Sequence, residues 1–348
     1  MRHGPFVHGE RVPDAIESVT VDGTEPAGPG RVLARRTAVL AAAGGVLLQL
    51  LHPLVEGPAL RAATPGSICL LALACTAHLL AHHGPVTTLR AVVTACGVGL
   101  GLEAVGLRTG IPFGSYHYTE SLGPRVLGVP WIVPLAWLTI AWPCLVLARR
   151  LAAGAGRTAE AGGAAGTDGA DRRAPSRSRV VLLGATTMAA WDLVWDPQLV
   201  AAGHWVWSHP RPGLPGVDGV PVTNALGWLL GGALLTALLD LAVPGSPGSS
   251  SPGSRAGAGR RSGPAGTAAV PGGTAGSAVT AGSAREREAV PAALLAWTWS
   301  GSVLANLVFF GEPALAGYGA VALGTTVLPY LRSLAGAGPA ARGGVRAR

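Results

Sequence analysis

Two carboxylates in the stretch Trp191 to Trp228, WDLVWDPQLVAAGHWVWSHPRPGLPGVDGVPVTNALGW, stand out for their chemistry. Asp192 and Asp196 lie four residues apart at the end of an apolar run, and five of the chain's ten tryptophans share the stretch with them. A spacing of four puts both acids on one helix face, with Trp191 and Trp195 about a quarter turn away. Neighbouring carboxyls in a low-dielectric site cannot both ionise easily, so one of the two can hold a proton at neutral pH and serve as a general acid. Acids inside a bilayer are costly and mark functional sites by default. The plainer alternative is a helix-end cap, or a pair that binds loop arginines in the interfacial layer. Pro197 disfavours helix at the residue before it, so Asp192 is expected to be helical and Asp196 less securely so.

A third acid, Glu103, stands in GVGLGLEAVGLRTG, a run of small and aliphatic residues that lets neighbouring helices approach closely. It reads either as a site residue or as a structural partner of Arg108, five positions on. The segment that follows, IPFGSYHYTESLGPRVLGVP, contains Tyr116, His117 and Tyr118. Interfacial aromatic residues are ordinary in membrane proteins. The triplet gains weight from lying on the same face as the loop carrying Trp205 and Trp207. Asn224 and Trp228 fall at that depth too, as do Asn306 and Glu312, whereas Asp240 belongs to the opposite end and is expected to meet an arginine there. The candidate catalytic set is therefore Asp192, Asp196 and Glu103. The candidate substrate contacts are Tyr116, His117, Tyr118, Trp191, Trp195, Trp205, Trp207, Asn224 and Trp228.

His78, His82 and His83 form HLLAHH, which is similar to a single histidine box of a membrane di-iron oxygenase. Such sites need several boxes, and His52, His117, His204 and His209 are scattered without that spacing, so no metal is expected. Dinucleotide glycine fingerprints, a P-loop, a haem-attachment motif and a nucleophile elbow are all missing from the sequence, and no cofactor is expected.

The elements that must hold these residues are written in the composition. A 348-residue chain that is 49% hydrophobic and 13% charged, with a mean hydropathy of +0.41, belongs in lipid. Its net charge of +8 comes from arginine alone and clusters between apolar runs, which argues for topology control and against nucleic-acid binding. Cys69, Cys75, Cys96 and Cys144 sit in apolar segments and read as small core residues. Apolar runs at roughly 37–54, 66–81, 89–107, 130–148, 179–196, 224–243, 290–310 and 314–331 approach the ~20 residues a spanning helix needs. An all-α polytopic membrane bundle of about eight helices follows, with seven as the alternative.

The organisation expected is a disordered cytoplasmic tail over 1–30, helices one to four over 31–153, and helices five and six over 179–244. Helices seven and eight occupy 289–332, before a basic tail over 333–348. Residues 154–178 and 245–288 are rich in Gly, Ala, Ser, Pro and Arg, cannot build a core, and are expected to be disordered linkers. Their arginines place both linkers and both termini in the cytoplasm of a protein of the plasma membrane. That topology sets the loops 108–129 and 197–223 on one outer face, at the depth of all three acids.

Over residues 95–232 the sequence resembles the membrane carotenoid-biosynthesis proteins that include bisanhydrobacterioruberin hydratase and the gamma-carotene hydroxylase that works by adding water. The resemblance rests on Pro112-Phe113-Gly114-Ser115-Tyr116-His117-Tyr118, Gly128-Val129-Pro130, Trp191-Asp192-Leu193, Asp196-Pro197, Trp205-Val206-Trp207 and Gly219-Val220-Pro221 through Asn224 to Gly227-Trp228. It departs from the pattern at Val217-Asp218, where aromatic residues usually stand. The resemblance implies cofactor-independent hydration of the terminal double bond of an acyclic carotenoid end group, giving a tertiary alcohol. Asp192 or Asp196 would donate the proton, and tryptophan faces would stabilise the cation by ~1–2 kcal/mol each. The ionised acid or Glu103 would activate the water. Two other classes use similar features: a proton-coupled transporter, and a non-catalytic carotenoid-binding or scaffold subunit that partners other carotenoid enzymes.

Overall fold

The computed structural model describes residues 28–55, 57–162, 176–245 and 275–335. Seven α-helices dominate it: α1 (Pro29–Leu51), α2 (Gly57–Thr109), α3 (Val133–Gly162), α4 (Arg177–Ala201), α5 (Val222–Ala242), α6 (Ala275–Val308) and α7 (Pro313–Ala335). Four short strands, β1 (Tyr116–Tyr118), β2 (Arg125–Val126), β3 (Val129–Pro130) and β4 (Trp205–Trp207), occupy two of the loops. The fold is an all-α membrane bundle. Five stretches are long and apolar enough to cross a bilayer: Pro29–Leu51, Ala62–Thr109, Val133–Gly154, Val222–Ala242 and Pro313–Ala335.

The second of these stretches is 48 residues long. A straight helix of that length would measure about 70 Å, more than twice a hydrocarbon core of ~30 Å. It is not straight. Gly84 has φ 79° and ψ 171°, outside the helical region, and divides α2 into limbs of 57–83 and 85–109. Only glycine adopts that φ cheaply, and Pro85 after it offers no N–H to continue the ladder. The Thr88 hydroxyl donates to the Gly84 carbonyl at 2.8 Å and satisfies one group freed by the break.

Helices run further into the expected linkers than composition suggests, with α3 reaching Gly162, α4 starting at Arg177 and α6 starting at Ala275. Charge pairing ties down α6 at 285–288, inside the expected linker. Glu286 accepts from Arg35 at 2.6 Å, Glu288 accepts from Arg150 at 2.8 Å, and Arg285 donates to the last carbonyls of α7. The remainder of the linkers, and the tails over 1–27 and 336–348, lie outside the described residues. At this same end Asp240 accepts from Arg149 at 2.7 Å, the arginine contact expected of it.

Small residues set the helix spacing where helices meet without a hydrophobic drive between them. A side chain at Gly227 would lie 2.6 Å from the Phe113 ring, and one at Gly231 would lie 3.0 Å from Leu102. Gly99 likewise makes room for Trp137. These close approaches bring α2, α3 and α5 together around Glu103. The four cysteines are free.

The candidate active site

Helix α4 continues through Pro197 to Ala201, so Asp192 and Asp196 are both helical and both face inward. The sequence expectation for Asp196 is corrected here. A proline within a membrane helix is accommodated because the surrounding helices re-satisfy the freed backbone, and leaving the helix would expose more of it. The two aspartates are 3% and 7% exposed. Asn224, in the first turn of α5, donates from its single amide nitrogen to Asp192 Oδ2 at 2.8 Å and to Asp196 Oδ2 at 2.6 Å. One amide nitrogen donating to both acids holds the two carboxyls side by side. Asn224 thus organises the two acids from the chamber wall.

Glu103 faces the pair from the second limb of α2, and three donors converge on its carboxyl. Tyr116 and Tyr118 both donate to Oε2, the latter at 2.8 Å, and Trp137 Nε1 donates to Oε1 at 3.1 Å. Arg108 does not pair with Glu103 but donates to the Ala104 carbonyl one turn back. Burial, and next the Glu103 carboxylate, push the Tyr116 phenol well above its ordinary range, and the same two causes act on Tyr118. Both phenols therefore stay protonated donors throughout the physiological range.

The tyrosines reach Glu103 because β1 pairs antiparallel with β4 in a fixed register, Tyr116 opposite Trp207 and Tyr118 opposite Trp205. Side chains alternate across a strand, so these four rings turn inward and roof the site. His117 and Val206, between them, are exposed. His117, expected among the substrate contacts, is placed by this alternation outside the chamber wall. Gly114, at φ 92°, makes the turn into β1, and any side chain there would meet the Thr223 hydroxyl at 2.9 Å. Trp207 Nε1 donates to the Phe113 carbonyl at 3.0 Å and pins the turn to the ribbon.

Together these residues enclose a chamber of about 100 Å³, walled by Glu103, Phe113, Tyr116, Tyr118, Trp137, Trp191, Asp192, Trp195, Asp196, Trp205, Trp207, Asn224 and Trp228. Every sequence candidate except His117 is present. Trp137 and Phe113 were missed. Trp137 stacks on Trp228 at 4.3 Å with an interplanar angle of 9°, and Phe113 packs at 6.3 Å from each. Their only signal was position, Trp137 in the first turns of an apolar helix at the depth of the acids, and Phe113 inside a motif already singled out. None of the three acids takes part in an ion pair among the described residues, and the chamber wall contains no cationic side chain.

A second cavity, about 760 Å³ and lined mainly by apolar side chains, adjoins the chamber. Trp191 and Trp195 of α4 line both. Val217 and Asp218, the departure noted above, lie on the wall of this larger cavity, as does Glu312. Asn306 is buried and donates to the Ser302 carbonyl.

The histidine run lies elsewhere. His78 Nδ1 accepts from Trp142 and its Nε2 bonds the Arg287 carbonyl at 2.8 Å, so both ring nitrogens are used in tying α2 to α3 and α6. Among the described residues no group of three or more His, Cys, Asp or Glu side chains is placed to hold a metal.

A bundle of apolar helices that buries three carboxyls in an aromatic-walled chamber describes a polytopic membrane protein with a buried acid cluster. Residues 65–254, more than half of the 348-residue chain, match the carotenoid biosynthesis protein family, and the chain belongs to it. Bisanhydrobacterioruberin hydratase of Haloarcula japonica is 33% identical over 141 residues, which is 40% of this chain and 40% of that protein. The chain therefore matches less than half the length of this relative. No solved structure matches.

Proposed function

We propose that the chain is a carotenoid-modifying enzyme that adds water to the terminal double bond of an acyclic end group, without a cofactor, as a hydro-lyase working in the hydration direction. The observation that carries this reading is the Asp192–Asn224–Asp196 cluster. Three buried carboxyls with no cation beside them cannot all be charged in a low-dielectric chamber. Glu103 already accepts from a tryptophan N–H, which can only donate, and from two phenols, a set that suits its ionised form. The shared proton then belongs to the aspartate pair.

In the reaction the pair's proton bonds to the inner carbon of the terminal double bond, using the π electrons and leaving a tertiary cation. The faces of Trp228 and Trp191 and the charge of Glu103 stabilise that cation. Water adds through its oxygen and loses a proton to the aspartate that gave one up, which restores the acid. No electrons are gained or lost. The larger cavity supports this reading, since a long apolar chain needs such a volume beside the acids.

The same reading extends to topology. The two limbs of α2 make separate crossings, and with α4 and α6 packed into the bundle the chain has eight crossings. By the arginine distribution, both termini and both linkers are cytoplasmic in the plasma membrane and the acid chamber lies toward the outer face. Reporter fusions within 163–175 and 246–274 should give the same cytoplasmic signal; an outer signal from either would reject this arrangement.

Expression in a host that makes an acyclic carotenoid tests the function itself. Products heavier by one or two waters are expected. A pigment that binds the protein and is recovered unchanged would favour the scaffold reading.

A further inference from the structure

The chamber and the larger cavity meet at a rim built by three helices. Thr64 and Ile68 come from the first limb of α2, Ala136 and Ile140 from α3, and Trp195 and Leu199 from α4; all six line both spaces. Each pair is four residues apart, so each helix presents one continuous face to the boundary the two spaces share. Ala136 is the smallest side chain on the rim.

The outer edge of the larger cavity is lined by Leu50 of α1 and Leu304 of α6, which are 51% and 58% exposed, and by the exposed Phe309 and Phe310. Apolar side chains exposed on a membrane bundle face lipid, so the side of this cavity nearest the bilayer lies between α1 and α6. Trp297 Nε1 donates to Gln49 Oε1 at 2.7 Å across the same two helices.

Volume separates the roles of the two spaces. The larger cavity, about 760 Å³, has several times the volume of the chamber, about 100 Å³, so the chamber has room for the end of a long chain and a water but not for its length. We propose that the larger cavity is a vestibule receiving a polyene from the lipid, and that the rim at Ala136 is an end-group filter admitting only the slender end of the chain. The inference rests on the hydratase reading for its substrate and adds a specificity determinant to it. An isopropylidene end passes; a cyclic or otherwise bulky end stays in the vestibule, out of reach of Asp192 and Asp196.

The test uses the full-length protein in membranes and a polyene whose terminal isopropylidene is replaced by a methyl diazirine of similar size, cross-linked by light. In the wild type the label should fall on residues that line the chamber alone, such as Trp228 and Asn224. In Ala136→Phe, which fills the rim, it should move to vestibule residues such as Thr298 and Leu71 with total labelling unchanged. Hydration should fall about 10²-fold in that variant, the usual cost of misplacing a reacting atom by about 1 Å. Ile68→Phe fills the rim from the opposite wall and should behave alike, which keeps the test valid if Ala136→Phe does not fold. Chamber labelling that persists in a filled variant, or vestibule labelling already in the wild type, overturns the filter. A label that moves while the wild type makes no alcohol leaves the filter standing and rejects the hydratase chemistry.

Discussion

Asp192→Asn and Asp196→Asn should each lower turnover per folded molecule by about 10²- to 10⁴-fold, the range that positioned general acid-base groups contribute. The substitution keeps the shape of the side chain and an oxygen to accept from Asn224, whose amide nitrogen lies 2.8 Å and 2.6 Å from the two acids. What it removes is the transferable proton. Membrane abundance and carotenoid binding should therefore change little. A structural pair predicts the reverse pattern, lowered abundance with near-normal activity per molecule. Because the aspartates act on one shared proton, the double variant should lose little more than the worse single one.

Glu103→Gln should lower turnover by about 10²-fold. A fixed negative charge about 6 Å from the developing cation, at an effective dielectric of about 20, is worth about 3 kcal/mol. Glutamine retains an oxygen for Trp137 Nε1, and the Tyr116 and Tyr118 hydroxyls can rotate to accept from its amide. Loss of charge rather than loss of packing is the tested variable. If Glu103 only anchors the β1–β4 roof, turnover should stay within a few-fold of normal while thermal stability falls, and the two outcomes separate cleanly in a detergent-solubilised preparation.

The parts of this site that were legible in the sequence are those encoded by local spacing. A four-residue interval put Asp192 and Asp196 on one face of α4, and the Tyr116 and Tyr118 alternation turned both rings the same way. The same alternation turns His117 out, but three residues are too short to announce a strand before its partner is known. Nothing local reveals that the Asn224 amide lies between two acids about 30 positions away. Trp137 was hidden for the same reason, since its stack on Trp228 joins α3 to α5. The break at Gly84 agrees with the two apolar runs on either side of it, while the anchoring of α6 at Glu286 and Glu288 depends on Arg35 and Arg150, distant cations that a composition argument does not pair. Cavities are the least legible feature. They are space left between helices, and no residue pattern states where packing stops.

Labelled water gives the most direct test of the central claim, that a proton shared by Asp192 and Asp196 starts a hydration. The protein is expressed with an acyclic carotenoid, kept anaerobic and supplied with oxygen-18 water, and the alcohol is analysed by mass spectrometry. The oxygen of the product should carry the label from water, with full yield in the absence of molecular oxygen and of any reductant. Alcohol that forms only in air, with its oxygen taken from molecular oxygen, would contradict the account and move the chemistry away from the acid chamber.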